Sequence, residues 1–327
     1  MVLPAHLRYP LIQRPEQLSA RPSADLAEVI AANRDDLTAR LRDVGAVLFR
    51  GFAPGSAERL DAMVRAMGGE PLQYHDAATP RTEVGGRVYT STDYPPAEVI
   101  EQHNEACYGA DWPRYLYFGC AVAAATGGAT PLVDTRALVA VLPEDLVDRL
   151  RKSGVRYVRT YHPRIGLKWQ QAFGTEDRAE AEAWCASRDT TIDWLPGGVV
   201  QTSTVRPALV RHPDTGEECW FNQVVAFHPA SLPRDLREGL GRVLAPEMFP
   251  KQVQFGDGTP IPAETVDLIR EAEQPIRAAE RWQAHDVLIV DNLLMSHGRE
   301  SFTGSRRVLV AMSHAMTWNE IDVEVAA

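Results

Sequence analysis

The sequence predicts a mostly β chain with flanking helices, an α+β protein built on an antiparallel double-stranded β-helix of the jelly-roll or cupin type. Three observations predict it. Helical periodicity is confined to the start of the chain and to a middle insertion. Short apolar runs bounded by turn residues dominate the centre and the C-terminal end. No internal repeat, low-complexity tract or linker divides the chain, so a single domain over 1–327 is expected, opened by an irregular, proline-punctuated segment over 1–22. Helices set apart from runs of strands in this way suit a two-layer antiparallel core.

Taken in order, Ser23 is placed to cap a helix from Ala24 to Val44, because Leu26, Val29, Ile30, Leu37, Leu41 and Val44 recur at helical spacing. Gly45 closes it, and Ala46-Val47-Leu48-Phe49-Arg50 follows as a buried strand. A second amphipathic helix runs from Ser56 to Met67 and ends at Gly68-Gly69. From Pro71 to Glu101 the helical period vanishes into loops and short strand-like pieces such as 87–91. Tyr115 to Val122 reads as a strand, and 127–131 (Gly-Gly-Ala-Thr-Pro) as a turn into Leu132-Val133-Asp134. Short helices are expected from Pro143 to near Gly154, and over 176–186, 232–244 and 262–273. The segment 199–223 reads as a β-hairpin with arms 199–212 and 218–223 around a Pro213-Asp214-Thr215-Gly216 turn. Strands at 287–290 and 307–312 complete the pattern.

With 327 residues, 45% of them hydrophobic, the chain can bury a substantial core. Its net charge of -10 and the lack of a Lys/Arg-rich block argue against a nucleic-acid partner. No stretch reaches the roughly 18 apolar residues of a membrane span. The N-terminus lacks a signal-like apolar run, and four separated cysteines without a CxxC support neither a disulfide framework nor a zinc cluster. A cytoplasmic location is the default, and a homo-oligomer stays open.

The chemistry is carried by 102–108 (Gln-His-Asn-Glu-Ala-Cys-Tyr). On a strand, alternate side chains share a face, so His103 and Glu105 can grip one metal ion from the same side. Two ligands do not hold a metal, and His297, in the loop-to-strand run 292–299, is the candidate third. Two histidines and a carboxylate on one face of a metal are the donor set of non-haem Fe(II) oxygenases. The competing triplet, His212-Pro213-Asp214, sits in a turn sequence and is set aside, because a hairpin tip preorganises a metal poorly. Downstream of His297 the pair Arg306-Arg307 enters an apolar strand. An arginine buried there needs an anion, and the guanidinium fork fits a carboxylate. Strand alternation alone does not choose between the two. Cys107 shares the phase of the ligands and reads as a small wall residue.

These motifs, in the order His-x-Glu, Gly-Gly-x-Thr-Pro, Asp-Asn-(x)4-His-x-Arg and Gly-x-Arg-Arg, resemble the taurine dioxygenase/2,4-dichlorophenoxyacetate dioxygenase family of Fe(II)/2-oxoglutarate oxygenases. Within it the sequence is most similar to the clavaminate-synthase-like and aminoacyl-hydroxylase branch. The likeness spans about residues 24 to 314. It implies that His103, Glu105 and His297 bind Fe(II), that Thr130 donates a hydrogen bond to 2-oxoglutarate, and that Arg307 anchors the far carboxylate of that co-substrate. O2 is the second co-substrate. Ala311 stands where sulfonate-binding members carry a second arginine, which argues against taurine-like substrates. Glu105 fills the position that related halogenases leave open for chloride, so oxygen insertion is expected.

The resemblance further implies hydroxylation of an unactivated C–H in an amino acid or a carrier-protein-tethered aminoacyl intermediate of natural-product biosynthesis. Asn104, Arg81 and Asn222 are the candidate substrate contacts; a loop arginine and hydrogen-bonded strand asparagines are the plainer readings. A catabolic oxygenase, desaturase or epoxidase acting on a small carboxylate is the alternative within the class. A non-catalytic cupin-like metal-binding protein is the alternative outside it, and the arginine pair and Thr130 argue against that.

Overall fold

The computed structural model describes residues 9–21, 23–52, 56–73, 82–91 and 94–321. The N-terminal helical region is two helices, Leu26–Ala32 and Arg34–Val44, rather than one. Asn33 breaks it: its side-chain amide donates to the Val29 carbonyl at 2.8 Å, competing with the backbone ladder. Asp25, not Ser23, caps the first helix, accepting from the Ala27 N–H. Gly45 ends the second in a left-handed conformation, φ 73°, and a Cβ there would come within 2.6 Å of the Met295 side chain. The chain then enters the strand Ala46–Phe49. The helix Ala57–Ala66, capped by Ser56, buries Leu60, Met63 and Val64.

Two sheets form the core. The larger has seven strands in the order Leu11–Gln13, Ala46–Phe49, Val287–Asp291, Asp111–Val122, Arg307–Thr317, Val88–Thr90 and Glu83–Gly85. The smaller has four, in the order Arg277–Ala278, Leu132–Asp134, Met295–Arg299 and Ile100–His103. Strand alternation divides the large sheet's side chains between two buried layers. Leu116, Phe118, Leu288, Val290, Val308 and Val310 pack with Leu132 and Met295 of the small sheet. Tyr115, Tyr117, Val287, Ile289, Leu309 and Ala311 pack with the helices on the other face. A strand covered on both sides must be apolar at every position, which is why 287–290 shows no alternation in sequence. Each fully buried Leu, Val or Phe contributes about 1.5–3 kcal/mol relative to exposure.

After Asp134 the chain leaves the core and returns to it at Arg277. This insertion carries the helices Thr135–Val141, Glu144–Ser153 and Arg178–Ala186. It also carries an antiparallel sheet in the order Thr191–Leu195, Val199–Arg206, Val155–Tyr161 and Lys251–Phe255. The expected hairpin over 199–223 is divided. Val199–Arg206 pairs with Val155–Tyr161, and only Leu209–Arg211 pairs with Glu218–Trp220. Pro207 lies between the two pieces and has no N–H to continue a ladder. No described helix is long and apolar enough to cross a membrane.

Candidate active site

His103 ends the strand Ile100–His103, whose register places it opposite His297 on Met295–Arg299, with ring centroids 4.3 Å apart. The two strands approach so closely that a Cβ on Gly298 would lie 2.6 Å from the Ile100 carbonyl oxygen. Glu105 is not presented by strand alternation. The strand has ended, and the chain turns through Ala106 at φ 56°. Asn292 holds Glu105 instead: its Oδ1 accepts from the Glu105 N–H at 2.8 Å, and its Nδ2 donates to the Glu105 and Pro113 carbonyls at 3.0 and 2.9 Å. Cys107, beyond the same turn, faces Tyr157 and not the histidines.

The donor atoms of His103, Glu105 and His297 all lie within 4.8 Å of one another, and Glu105 Oε2 is 3.8 Å from His297 Nε2. Metal–nitrogen and metal–oxygen bonds of about 2.1 Å put neighbouring ligands at right angles about 3 Å apart, so a modest contraction closes this set around one divalent ion. His103 Nδ1 lies 2.8 Å from the Glu101 carbonyl, which orients the ring and leaves Nε2 for a metal. The Phe118 ring, 5.2 Å from that of His297, supplies an apolar wall.

The run 128–132 links this triad to the arginine pair. Leu132 pairs with His297, and the Gly298 N–H donates to the Pro131 carbonyl at 3.1 Å. Thr130 Oγ1 accepts from Trp282 Nε1 at 3.2 Å, which leaves the hydroxyl proton for another acceptor. At the far end the Gly128 carbonyl accepts from Arg306 Nε at 2.9 Å. Arg306 also reaches Ser91 Oγ at 3.3 Å. Burial, and then the charge of Arg299, depress its guanidinium pKa to about 10. Arg299 spends its donors on the Tyr94, Pro95 and Glu98 carbonyls. Among the described residues, neither arginine meets a carboxylate.

Arg307, the arginine expected to point inward, is exposed. The register shifts between Arg307, which pairs with Val122, and Val308, which pairs with Cys120. The expectation rested on the family's order within the pair; here the bulge sets Arg307 off from the regular pairing, and Arg306 is the less exposed of the two. Asn104 is buried, with its amide donating to the Asn292 carbonyl at 2.7 Å, a tie within the fold. Asn222 donates to the Ala208 carbonyl and accepts from the Val224 N–H, so both its polar atoms serve the loop. Arg81 lies outside the described residues. Sequence reasoning passed over Asn292, although the Asp-Asn pair before His297 was visible, and it passed over Trp282 entirely.

A two-sheet core with two histidines and one carboxylate gathered at the edge of the smaller sheet is the architecture of a mononuclear metal-dependent oxygenase. The chain belongs to the Taurine catabolism dioxygenase TauD, TfdA family, which matches residues 11–313. It is an Fe(II)- and 2-oxoglutarate-dependent dioxygenase of that family. It is 37% identical over 272 residues to the dapdiamide synthesis protein DdaC of Enterobacter agglomerans, covering 83% of each chain. It is 33% identical over 296 residues to a clavaminate synthase-like protein of Arabidopsis thaliana, covering 87% of this chain and 86% of that one. Among solved structures, PvcB of Pseudomonas aeruginosa aligns over 96% of this chain and 87% of its own, with a TM-score of 0.55 at 17% identity. A taurine dioxygenase of Burkholderia xenovorans aligns over 89% and 85%, with a TM-score of 0.51 at 15% identity. These two likenesses establish the fold.

Proposed function

We propose that His103, Glu105 and His297 hold the Fe(II), that Thr130 and Arg306 hold 2-oxoglutarate, and that the enzyme hydroxylates an unactivated C–H of an amino acid or an aminoacyl intermediate, free or tethered to a carrier protein. The observation that carries this reading is the convergence of three donor atoms within 4.8 Å. When bound, the iron and its co-substrate supply the oxidising power for C–H cleavage. The protein supplies placement. Asn292 fixes the Glu105 backbone, and the Glu101 carbonyl fixes the His103 ring. The Thr130 hydroxyl has a proton to give an acceptor at the metal. Arg306 carries a half-buried charge that a carboxylate would neutralise. Phe118 and the apolar cluster behind it keep water from one side of the site.

Glu105 occupies a ligand position, which favours oxygen insertion over halide transfer. The relationship to DdaC, a dapdiamide synthesis protein, supports a role in making a natural product. We further read 1–327 as one oxygenase domain working in a reducing cytoplasm. Anaerobic addition of Fe(II) and then 2-oxoglutarate to the purified protein should give a visible metal-to-ligand charge-transfer band. Folded wild-type protein that gives no band would sink the ligand assignment. With the band established, succinate formation stimulated by candidate amino acids identifies the substrate.

A further inference from the structure

None of the three proposed donors comes from the insertion, yet the insertion grips the segment that carries two of them. The strand Ile100–His103 ends before Asn104 and Glu105, and both of these residues are buried. Buried backbone groups beyond the end of a sheet need partners from elsewhere in the fold. Asn292 serves the N–H and the carbonyl of Glu105 from the core. The peptide between the two ligands is served from the insertion: Gln223 Nε2 donates to the Asn104 carbonyl at 2.7 Å.

Gln223 is itself fixed by the insertion. It is buried at the start of the short helix Val224–Phe227, whose Val224, Val225 and Phe227 pack with Tyr157 and Val253 of the insertion sheet. Its N–H donates to Tyr157 Oη at 2.9 Å, and its carbonyl accepts from the Phe227 N–H at 3.0 Å. Tyr157 Oη, having accepted from Gln223, lies 3.8 Å from Cys107 Sγ and has a proton to offer it. Arg206, on the neighbouring strand Val199–Arg206, donates to the Tyr108 carbonyl at 3.3 Å. The turn that carries Glu105 is therefore held by the insertion on both sides, at Asn104 before it and at Cys107 and Tyr108 after it.

We propose that Gln223 is a positioning residue for the metal centre: it fixes the peptide between His103 and Glu105, so that the insertion as well as the core sets the spacing of the donors. The proposal rests on the ligand set given above. A glutamine suits the task, because its amide donates to a carbonyl without bringing a charge beside Glu105. At a buried carbonyl the bond, once lost, is not simply replaced by bulk water. Without it the peptide flanked by the two ligands is free to shift, and the donor spacing loosens. Coupling of this kind is reciprocal: if the insertion steadies the donors, a bound metal steadies 223–227 in return.

The test is titration of the full-length chain with Co(II), whose visible absorption reports its coordination. Gln223→Met keeps most of the side-chain length and loses the donor. It should bind Co(II) about tenfold or more weakly than wild type, with an altered absorption spectrum. Tyr157→Phe, which removes the acceptor for the Gln223 N–H, should act in the same direction and by less. Gln201→Met is the control: that amide serves the Thr160 hydroxyl and the Glu247 carbonyl within the insertion, and its loss should leave Co(II) binding as in wild type. Hydrogen exchange at 223–227 should slow on Co(II) loading in wild type and not in Gln223→Met, which a glutamine needed only for folding would not produce. Wild-type affinity and spectrum in Gln223→Met overturn the proposal, as does exchange at 223–227 in wild type that ignores Co(II), or an equal weakening in Gln201→Met. Should Gln223→Met fail to fold, Tyr157→Phe and the wild-type exchange decide on the same terms. A wild-type chain that takes up no Co(II) sinks the ligand set itself, a result distinct from a wild type and a variant that bind equally well.

Discussion

His103-Asn104-Glu105 and His212-Pro213-Asp214 are near-identical strings with opposite surroundings. His103 gives one ring nitrogen to the Glu101 carbonyl and stands across a strand pair from His297. His212, which the sequence placed at a hairpin tip, is also buried. Its Nδ1 accepts from the Asp214 and Thr215 N–H groups, and its Nε2 lies 3.2 Å from Asp291 Oδ2. Asp214 turns away to pair with Arg114. Both ring nitrogens of His212 are therefore engaged inside the fold, and its carboxylate partner is neutralised elsewhere. The spacing of a histidine and an acid does not make a donor set; a second histidine delivered by the neighbouring strand does. One corner serves both triplets, since Asp291 holds His212 while Asn292 holds Glu105.

The comparison can be broken at its strongest point. Glu105→Ala or His297→Ala should abolish the charge-transfer band and lower turnover more than about 100-fold, because losing a ligand exceeds losing its support. Turnover near wild type in either variant would remove the distinction between the triplets. Arg306→Gln should raise the concentration of 2-oxoglutarate needed for half-maximal rate by about 10- to 100-fold, the range of a lost charged hydrogen-bonding group. Asn292→Ala tests the shared corner. It should weaken Fe(II) binding about 10-fold through the freed Glu105 backbone, read by metal titration of the folded variant. His212→Ala should leave Fe(II) stoichiometry intact while losing about 2 kcal/mol in urea unfolding, as expected for removing a buried hydrogen-bond partner. Arg307→Gln, at an exposed position, should change 2-oxoglutarate dependence by less than about twofold.

The core strands were legible because burial on both faces leaves continuous apolar runs, as at 287–290. The helix 57–66 was legible to within a residue from its cap and period. Three features were not. The Asn33 break depends on a side chain competing for a backbone carbonyl, which a period count does not register. The proposed choice of Arg306 over Arg307 rests on a one-residue bulge that exists only once the partner strand is known. Glu105 was assigned to the metal by strand alternation, yet it reaches the histidines through a turn and an amide 187 residues away in sequence. By contrast Pro207 announced the end of its strand in plain letters, and the hairpin reading overlooked it.

The strand Ile100–His103 is the outermost of its sheet, and it contributes one of the three donors while its inner neighbour contributes another. On the proposed ligand set, an ion bound between them would act as a rivet on that margin. Loading that centre would then tighten the outline of the fold as well as equip it for chemistry, and chelation should loosen this margin first. With those ligands, iron supply would govern more than turnover: it would set how long each molecule keeps that border closed to proteases and to other unpaired strands.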